Sequence, residues 1–188
     1  MACPRSFDED ALLSGIMHVF RRQGFAATSV RDLESASGLT SGSLYNTYGD
    51  KQGLFDAASA HYMRKVLRRR IDEHAPPGSG LSGLKALFLS LLREPDGGSD
   101  GCLITNSAVE FGSASRPGFV SEGFTLLLTT FAERLAEERS PLARNTEPTT
   151  LLALYQGVLV LVRGGLDLAD LEKTISQFFK KLEVHHDT

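Results

Sequence analysis

The sequence predicts an all-α protein, a three-helix head followed by a longer helical bundle. Three observations lead there. Apolar residues recur at i, i+3, i+4 and i+7 in segment after segment, the mark of helices with one inward stripe. Nowhere does the chain show the strict alternation of a half-buried strand, and no internal repeat is visible. Clusters of glycine, proline and aspartate at 75–80 and 93–100 break the pattern into helical lengths. With 188 residues, 41% of them hydrophobic, the chain can bury a substantial core.

Leu12, Ile16, Val19 and Phe20 mark a first helix over 7–23 that stops at Gly24, and Phe25 is expected to tuck into the head. The stretch TSVRDLESASGLTSGSLYNTYGDK (28–51) reads as two short helices around a glycine turn. Thr28 and Ser29 offer caps, with Asp32 three residues after Ser29 as in a capping box, and Val30, Leu33 and Ala36 form an apolar face. Gly38 suits a left-handed helix end and Leu39 plugs the turn. Thr40 or Ser41 caps the next helix, whose Leu44 and Tyr48 face inward. Such a helix-turn-helix sets its second helix for entry into a DNA major groove. The opposite face carries Gly42, Ser43 and Asn46, flanked by Ser41 and Tyr45, all able to approach base edges. Asp50 caps a further helix and leaves Lys51 in its first turn, where free N–H groups and an ammonium together suit a phosphate. The bland reading of the same pattern is an ordinary helical hairpin with a polar outer face.

The run GFAATSVRDLESASGLTSGSLYNTYGDKQGLF resembles the N-terminal signature of the TetR family of bacterial transcriptional regulators, without gaps from about Ala11 to Phe55. The resemblance includes Gly24-Phe25, the LTSGSLYNTY recognition helix and the lysine opening the fourth helix; Asn46-Thr47 departs from the bulkier or basic residues of many relatives. It implies an all-helical homodimer, a palindromic operator and a variable C-terminal domain that takes a small effector. Ser41, Gly42, Ser43 and Asn46, with Arg31 reaching from the second helix, are then expected to read bases, and Thr40 is expected at the DNA with them. Thr28, Tyr45, Tyr48 and Lys51 are expected to hold phosphates.

Charge distribution agrees with this. The net charge is −3, yet between Arg21 and Arg70 nine Lys/Arg stand against four Asp/Glu, and from Pro76 onward ten basic residues face fourteen acidic ones. MACPRSFDED turns acidic where a secretory leader needs an apolar run, and the apolar stretch 151–162 is too short to span a bilayer. The two cysteines, Cys3 and Cys102, lie far apart, which suits a reducing cytoplasm, and a cytoplasmic location is expected.

A long fourth helix is predicted from Lys51 to about Glu73, with Leu54, Phe55, Ala58, Tyr62 and Val66 inward. Its Arg64, Lys65, Arg68, Arg69 and Arg70 read as a solvated face near a helix C-terminus, far from Lys51. Five more helices follow: about 81–92, from about Gly101 to Phe111, from 115–117 to about Arg139, from Pro148 through Val162, and one capped by Asp167 or Asp170. The last two hold more apolar surface than one small core absorbs. Pairing with a second copy through them is expected, with Val158 and Phe178 at the interface. The domains divide as 1–52 for DNA and 53–188 for ligand and dimerisation.

GCLITNSAVEF (101–111) resembles a motif in one branch of the family whose sixth helix opens with Gly-Cys-Leu. Cys102 in a helix first turn would be an activated thiol, or a small packing residue. Asn106 and Glu110 can face a cavity and bond a ligand, or bond backbone and solvent respectively; Tyr155 and Gln156 are polar exceptions in an apolar helix, and Phe124 completes the expected pocket. His185-His186 cannot converge on a metal, and neither a metal nor a cofactor is expected. The expectation is therefore a small-molecule-responsive repressor and not an enzyme. The alternative is a ligand-binding helical protein or enzyme with a vestigial head.

Overall fold

Local caps set the helix boundaries of the head. In the computed structural model, which describes residues 8–94 and 100–183, Asp8 caps α1 (Glu9–Gln23) by accepting Ala11 N–H at 3.2 Å. Acidic Glu9 and Asp10 open the helix and basic Arg21 and Arg22 close it, in accord with its dipole. The predicted capping box opens α2 (Val30–Ser37), where Ser29 and Asp32 bond each other's backbone N–H groups, and Gly38 ends it at φ 68°. Thr40 caps α3 (Ser41–Tyr48) and Asp50 caps α4 (Lys51–Tyr62). Gly53 packs so tightly on the end of α3 that a Cβ there would lie 1.9 Å from the Tyr48 carbonyl oxygen. Leu12, Ile16, Phe20, Leu33, Leu44, Leu54 and Phe55 form the core of this head.

From α4 the chain runs without a break through a π-helical segment (Met63–Arg68) into α5 (Arg69–His74), making one rod from head to body. Then come α6 (Gly80–Ser90), a 3₁₀ turn (Leu91–Arg93), α7 (Leu103–Phe111), α8 (Gly118–Ala136), the one-turn α9 (Pro141–Arg144), α10 (Pro148–Arg163) and α11 (Leu168–Glu183). No strand occurs among the described residues. The body core joins α6, α8, α10 and α11 through Phe88, Phe131, Tyr155 and Phe179, whose rings lie 5.2–6.0 Å apart in the pairs that touch. Head and body meet where α1 packs on α7.

Several expectations need correction. Val30 is 41% exposed, so α2 turns only Leu33 fully inward. Cys102 is the extended residue before α7, not part of its first turn. Short α9 had no periodic signal; Ser140 caps it and also donates to the Leu182 carbonyl at 2.7 Å. Of the two expected caps for α11, Asp167 is the one that accepts its opening N–H groups, as the sequence allowed. Val158 is buried within its own chain, and Phe178 is half-buried; the outward residues of this region are Val160, Leu161, Leu166 and Leu168. The sequence-based readings of Cys3, His185 and His186, and of most of the 93–100 loop, lie outside the described residues.

Candidate nucleic-acid interface

Leu44, 1% exposed, anchors α3 to the head, and the rest of that helix follows from its position. Gly42, Ser43 and Asn46 are exposed on the far side, Ser41 and Tyr45 are half-buried at its edges, and Thr40 and Arg31 are exposed beside it. Apart from its neighbours and its own helix backbone, no atom of the described residues lies within 4 Å of where a Cβ on Gly42 would stand, so this face is open. Thr47 is also exposed and bonds the Ser43 carbonyl.

The glycine turn is tied by side chains as well as by Gly38. Ser37 donates to the Leu33 carbonyl at 2.7 Å and accepts Leu39 N–H at 3.2 Å. Glu34, a residue that sequence reasoning missed, accepts Ser41 N–H at 2.7 Å and so crosses from α2 to the start of α3. Bonds to Ser41, backbone first, hold its carboxyl below the ordinary glutamate range. Its position seven residues before Ser41 is the signal that could have found it, since a carboxylate suits a helix N-terminus.

The residues expected to hold phosphates are placed differently from one another. Thr28 is only 2% exposed and donates its hydroxyl to the Gly24 carbonyl at 2.6 Å, so that hydroxyl closes the α1–α2 turn and is not free for DNA. Tyr48 donates to Glu9 Oε1 at 3.2 Å; burial, then the Glu9 charge, pushes its phenol up to about 12, keeping it a neutral donor. Lys51 is half-buried, its Nζ 4.7 Å from the centre of the Phe25 ring in a cation–π contact at the head's edge.

The residues expected around an effector divide into groups. Cys102, Asn106 and Glu110 share the wall of a 440 Å³ cleft between the end of α1, α7 and α10, together with Arg21, Thr105 and Arg163. Asn106 and Glu110 are engaged there with the head's backbone, which corrects the picture of two groups free within a bundle cavity. Cys102 is 6% exposed and accepts the Tyr62 hydroxyl at 3.2 Å. Tyr155 is buried against Phe88, and burial, partly offset by Arg70, raises its phenol to about 12. Gln156 accepts the Thr105 hydroxyl at 2.5 Å, and its own Nε2 is buried without a partner. Phe124 is half-buried on α8 and packs on the core away from this cleft.

Behind Cys102 lies a polar cluster the sequence reading did not anticipate. Arg21, 4% exposed, donates through Nε at 2.9 Å and Nη2 at 2.5 Å to the Gly101 carbonyl and stands 3.6 Å from Glu94. Arg70 also pairs with Glu94, so it turns inward instead of joining the solvated face of Arg64, Lys65, Arg68 and Arg69. The one sequence signal for Arg21 is its spacing, four residues beyond buried Met17 on the inward stripe of α1.

The sequence profile described as "Bacterial regulatory proteins, tetR family" matches residues 12–58, most of the head built above. Over nearly the full chain the fold agrees with a solved structure of the TetR family transcriptional regulator CifR, a cysteine mutant complexed with 26bp double-strand operator DNA. That likeness has a TM-score of 0.78 at 25% identity and covers 95% of this chain and 98% of the other. Residues 12–58 carry the N-terminal signature of the TetR family. Two relatives match at higher identity over shorter spans. An uncharacterized HTH-type transcriptional regulator, YezE of Bacillus subtilis (strain 168), is 33% identical over 109 residues, 56% of each chain. The HTH-type transcriptional repressor ComR of Escherichia coli (strain K12) is 40% identical over 72 residues, 38% of this chain and 30% of the relative. The matched region thus spans about half of one curated relative and under a third of the other. Among the described residues no helix is long and apolar enough to cross a membrane.

Proposed function

We propose that this protein is a transcriptional repressor that binds a palindromic operator as a homodimer and is released by a small-molecule effector. The observation that carries the reading is the outward face of α3. Gly42, Ser43 and Asn46 stand exposed there on a helix anchored by Leu44 and capped by Glu34 and Thr40. The operator complex of CifR supports the same use of the fold. Ser41, Gly42, Ser43 and Asn46 read bases, with Arg31 reaching from α2, and Tyr45, Tyr48 and Lys51 hold phosphates. The unit that binds DNA is about 1–52 and the regulatory unit 53–188, with α4 bridging them. The protein works in the cytoplasm, where its operator is.

Pairing through α10 and α11 is supported by Val160 (56% exposed), Leu161 (45%), Leu166 (45%) and Leu168 (38%), apolar side chains grouped at the end of α10 and the turn that follows. Two heads then meet successive major grooves about one helical turn, ~34–36 Å, apart. An effector that favours a dimer with another spacing lowers operator affinity by linkage. Cys102, beside Tyr62 and the Arg21–Glu94–Arg70 cluster, belongs to the region through which the effector acts; its burial favours packing over direct chemical sensing.

Mobility-shift titration against the protein's own upstream DNA, at several salt concentrations, tests the reading. Tight binding to one palindromic duplex with steep salt dependence is expected. Equal affinity for every duplex of the same length would overturn the repressor assignment. Leu161→Glu should yield monomers by sedimentation and weaken operator binding.

A further inference from the structure

The body completes the end of α1. Glu110 on α7 accepts Phe25 N–H at 2.9 Å with Oε2 and Ala26 N–H at 2.7 Å with Oε1. One helical turn earlier, Asn106 Nδ2 donates to the Arg21 carbonyl at 2.9 Å, and Arg163 Nη2 reaches the Arg22 carbonyl at 3.4 Å. The carbonyls of a last helical turn lack partners within the helix, and here the body supplies them. Gly24 makes the approach possible: its φ is 81°, and a Cβ there would meet Glu110 Oε2 at 2.8 Å.

The turn held in this way leads directly to the proposed DNA face. The Phe25 ring lies 5.6 Å from Phe111, the residue after Glu110, and 5.1 Å from Phe55 on α4. Lys51 Nζ sits 4.7 Å over that same ring. A displacement of Glu110 is therefore passed to a lysine at the DNA edge through one turn and one aromatic ring. The two carboxylate oxygens take adjacent N–H groups, so they restrain the rotation of the turn as well as its position. Charge-assisted bonds of this kind are roughly twice as strong as neutral ones.

We propose that Glu110 is a positioning residue for operator recognition: its hold on the Phe25–Ala26 turn sets the tilt of the head on the body, and through it the half-site spacing that the protein accepts. The inference rests on the reading that paired heads bind a palindromic operator. With Glu110 removed, α1 keeps its Asn106 bond and its aromatic packing, and each head folds as before but rocks on the body. Binding then becomes weaker at the native spacing and more tolerant of others. Asn106 and Glu110 also line the 440 Å³ cleft, so the head's fastening is open to whatever occupies that space.

The test is a spacing series. An operator recovered by selection from random duplexes is rebuilt with its half-sites moved by one and two base pairs in each direction. Affinities are measured for the wild type, Glu110→Gln and Glu110→Ala. Glu110 is solvent-exposed, so neither variant threatens folding, and hydrogen exchange at Phe25 and Ala26 reads the lost bonds independently. Glu110→Ala should lose about tenfold on the native spacing, a typical coupling, and should discriminate less among the others. Glu110→Gln, which keeps one acceptor oxygen, should fall between. Affinity for unrelated DNA and the salt slope should not change, because no phosphate contact is removed. A selective wild type with equally selective variants would overturn the inference alone. A wild type indifferent to spacing would overturn it together with the reading beneath it. Unchanged exchange at Phe25 and Ala26 in Glu110→Ala would also overturn it.

Discussion

The polar bonds of the helix-turn-helix and those of the seam between α1 and α7 differ in their reach along the chain. In the head, Asp32 bonds Ser29 three residues away, Asp50 bonds Gly53 three residues away, and Glu34 reaches Ser41 seven residues away. At the seam, Arg21 bonds Gly101 across 80 residues, Glu110 bonds Phe25 across 85, and Arg163 bonds Arg22 across 141. Short-range bonds form as their helices form, whatever the rest of the chain does. Long-range bonds exist only when the body is folded and docked. The shape of the DNA-reading surface and the placement of that surface are thus held by separate sets of residues, and each set can be broken without the other.

The largest effect is expected at the seam. Arg21→Met leaves the Gly101 carbonyl and Glu94 with one fewer cation in a buried cluster. Removing one member of a buried charged group costs roughly 3–5 kcal/mol, and urea denaturation followed by circular dichroism should show it. An unchanged midpoint would mean that the cluster does not hold head to body. Next comes the face itself. Lys51→Ala should weaken binding to all duplexes and lower the salt slope by about one unit, as for one lost phosphate contact. Asn46→Ala should instead reorder preferences among operators by about 1–3 kcal/mol at one position. Uniform losses in both variants would erase the division between clamp and readout.

A smaller loss is expected from Ser29→Ala, which removes one half of the capping box and should cost about 1 kcal/mol in head stability. The smallest is a pH effect at His61, which is buried between α1 and α4. Its Nε2 bonds the Ser14 hydroxyl at 2.9 Å, and its Nδ1 lies 3.7 Å from Asp10, with Arg64 and Lys65 also near. Burial holds this imidazole below its ordinary value of 6.5, Asp10 opposing the shift and Arg64 and Lys65 adding to it. With the folded pKa depressed, the unfolded chain binds the proton first. The contribution is present above about 6.5 and is lost as pH falls toward the folded value. A melting temperature that drops over this window in the wild type and drops less in His61→Gln would match; parallel curves would assign the effect to other groups.

Much of the fold was readable from local pattern. The capping box at Ser29–Asp32, the left-handed Gly38, the caps at Thr40 and Asp50, and the inward Leu44 stand as their spacing predicts. Each depends on residues within one or two helical turns, so sequence distance and spatial distance nearly coincide. The exposure of Gly42, Ser43 and Asn46 follows from the same geometry, because anchoring Leu44 turns the opposite face outward.

Tertiary structure decided the rest. It turned Arg70 away from the solvated row of its own helix and onto Glu94, and it buried the Thr28 hydroxyl against the Gly24 carbonyl. It faced Val158 inward and left Val160 and Leu161 outward on a helix apolar nearly all round, where periodicity cannot choose a side. It set Asn106 and Glu110 on the backbone of the head, 85 residues away, a role that no spacing within α7 encodes. A helix's own sequence determines which residues share a face. Which partner that face meets, and whether a polar group on it finds water, a ligand or another helix's unpaired backbone, is determined by how elements distant in sequence pack together.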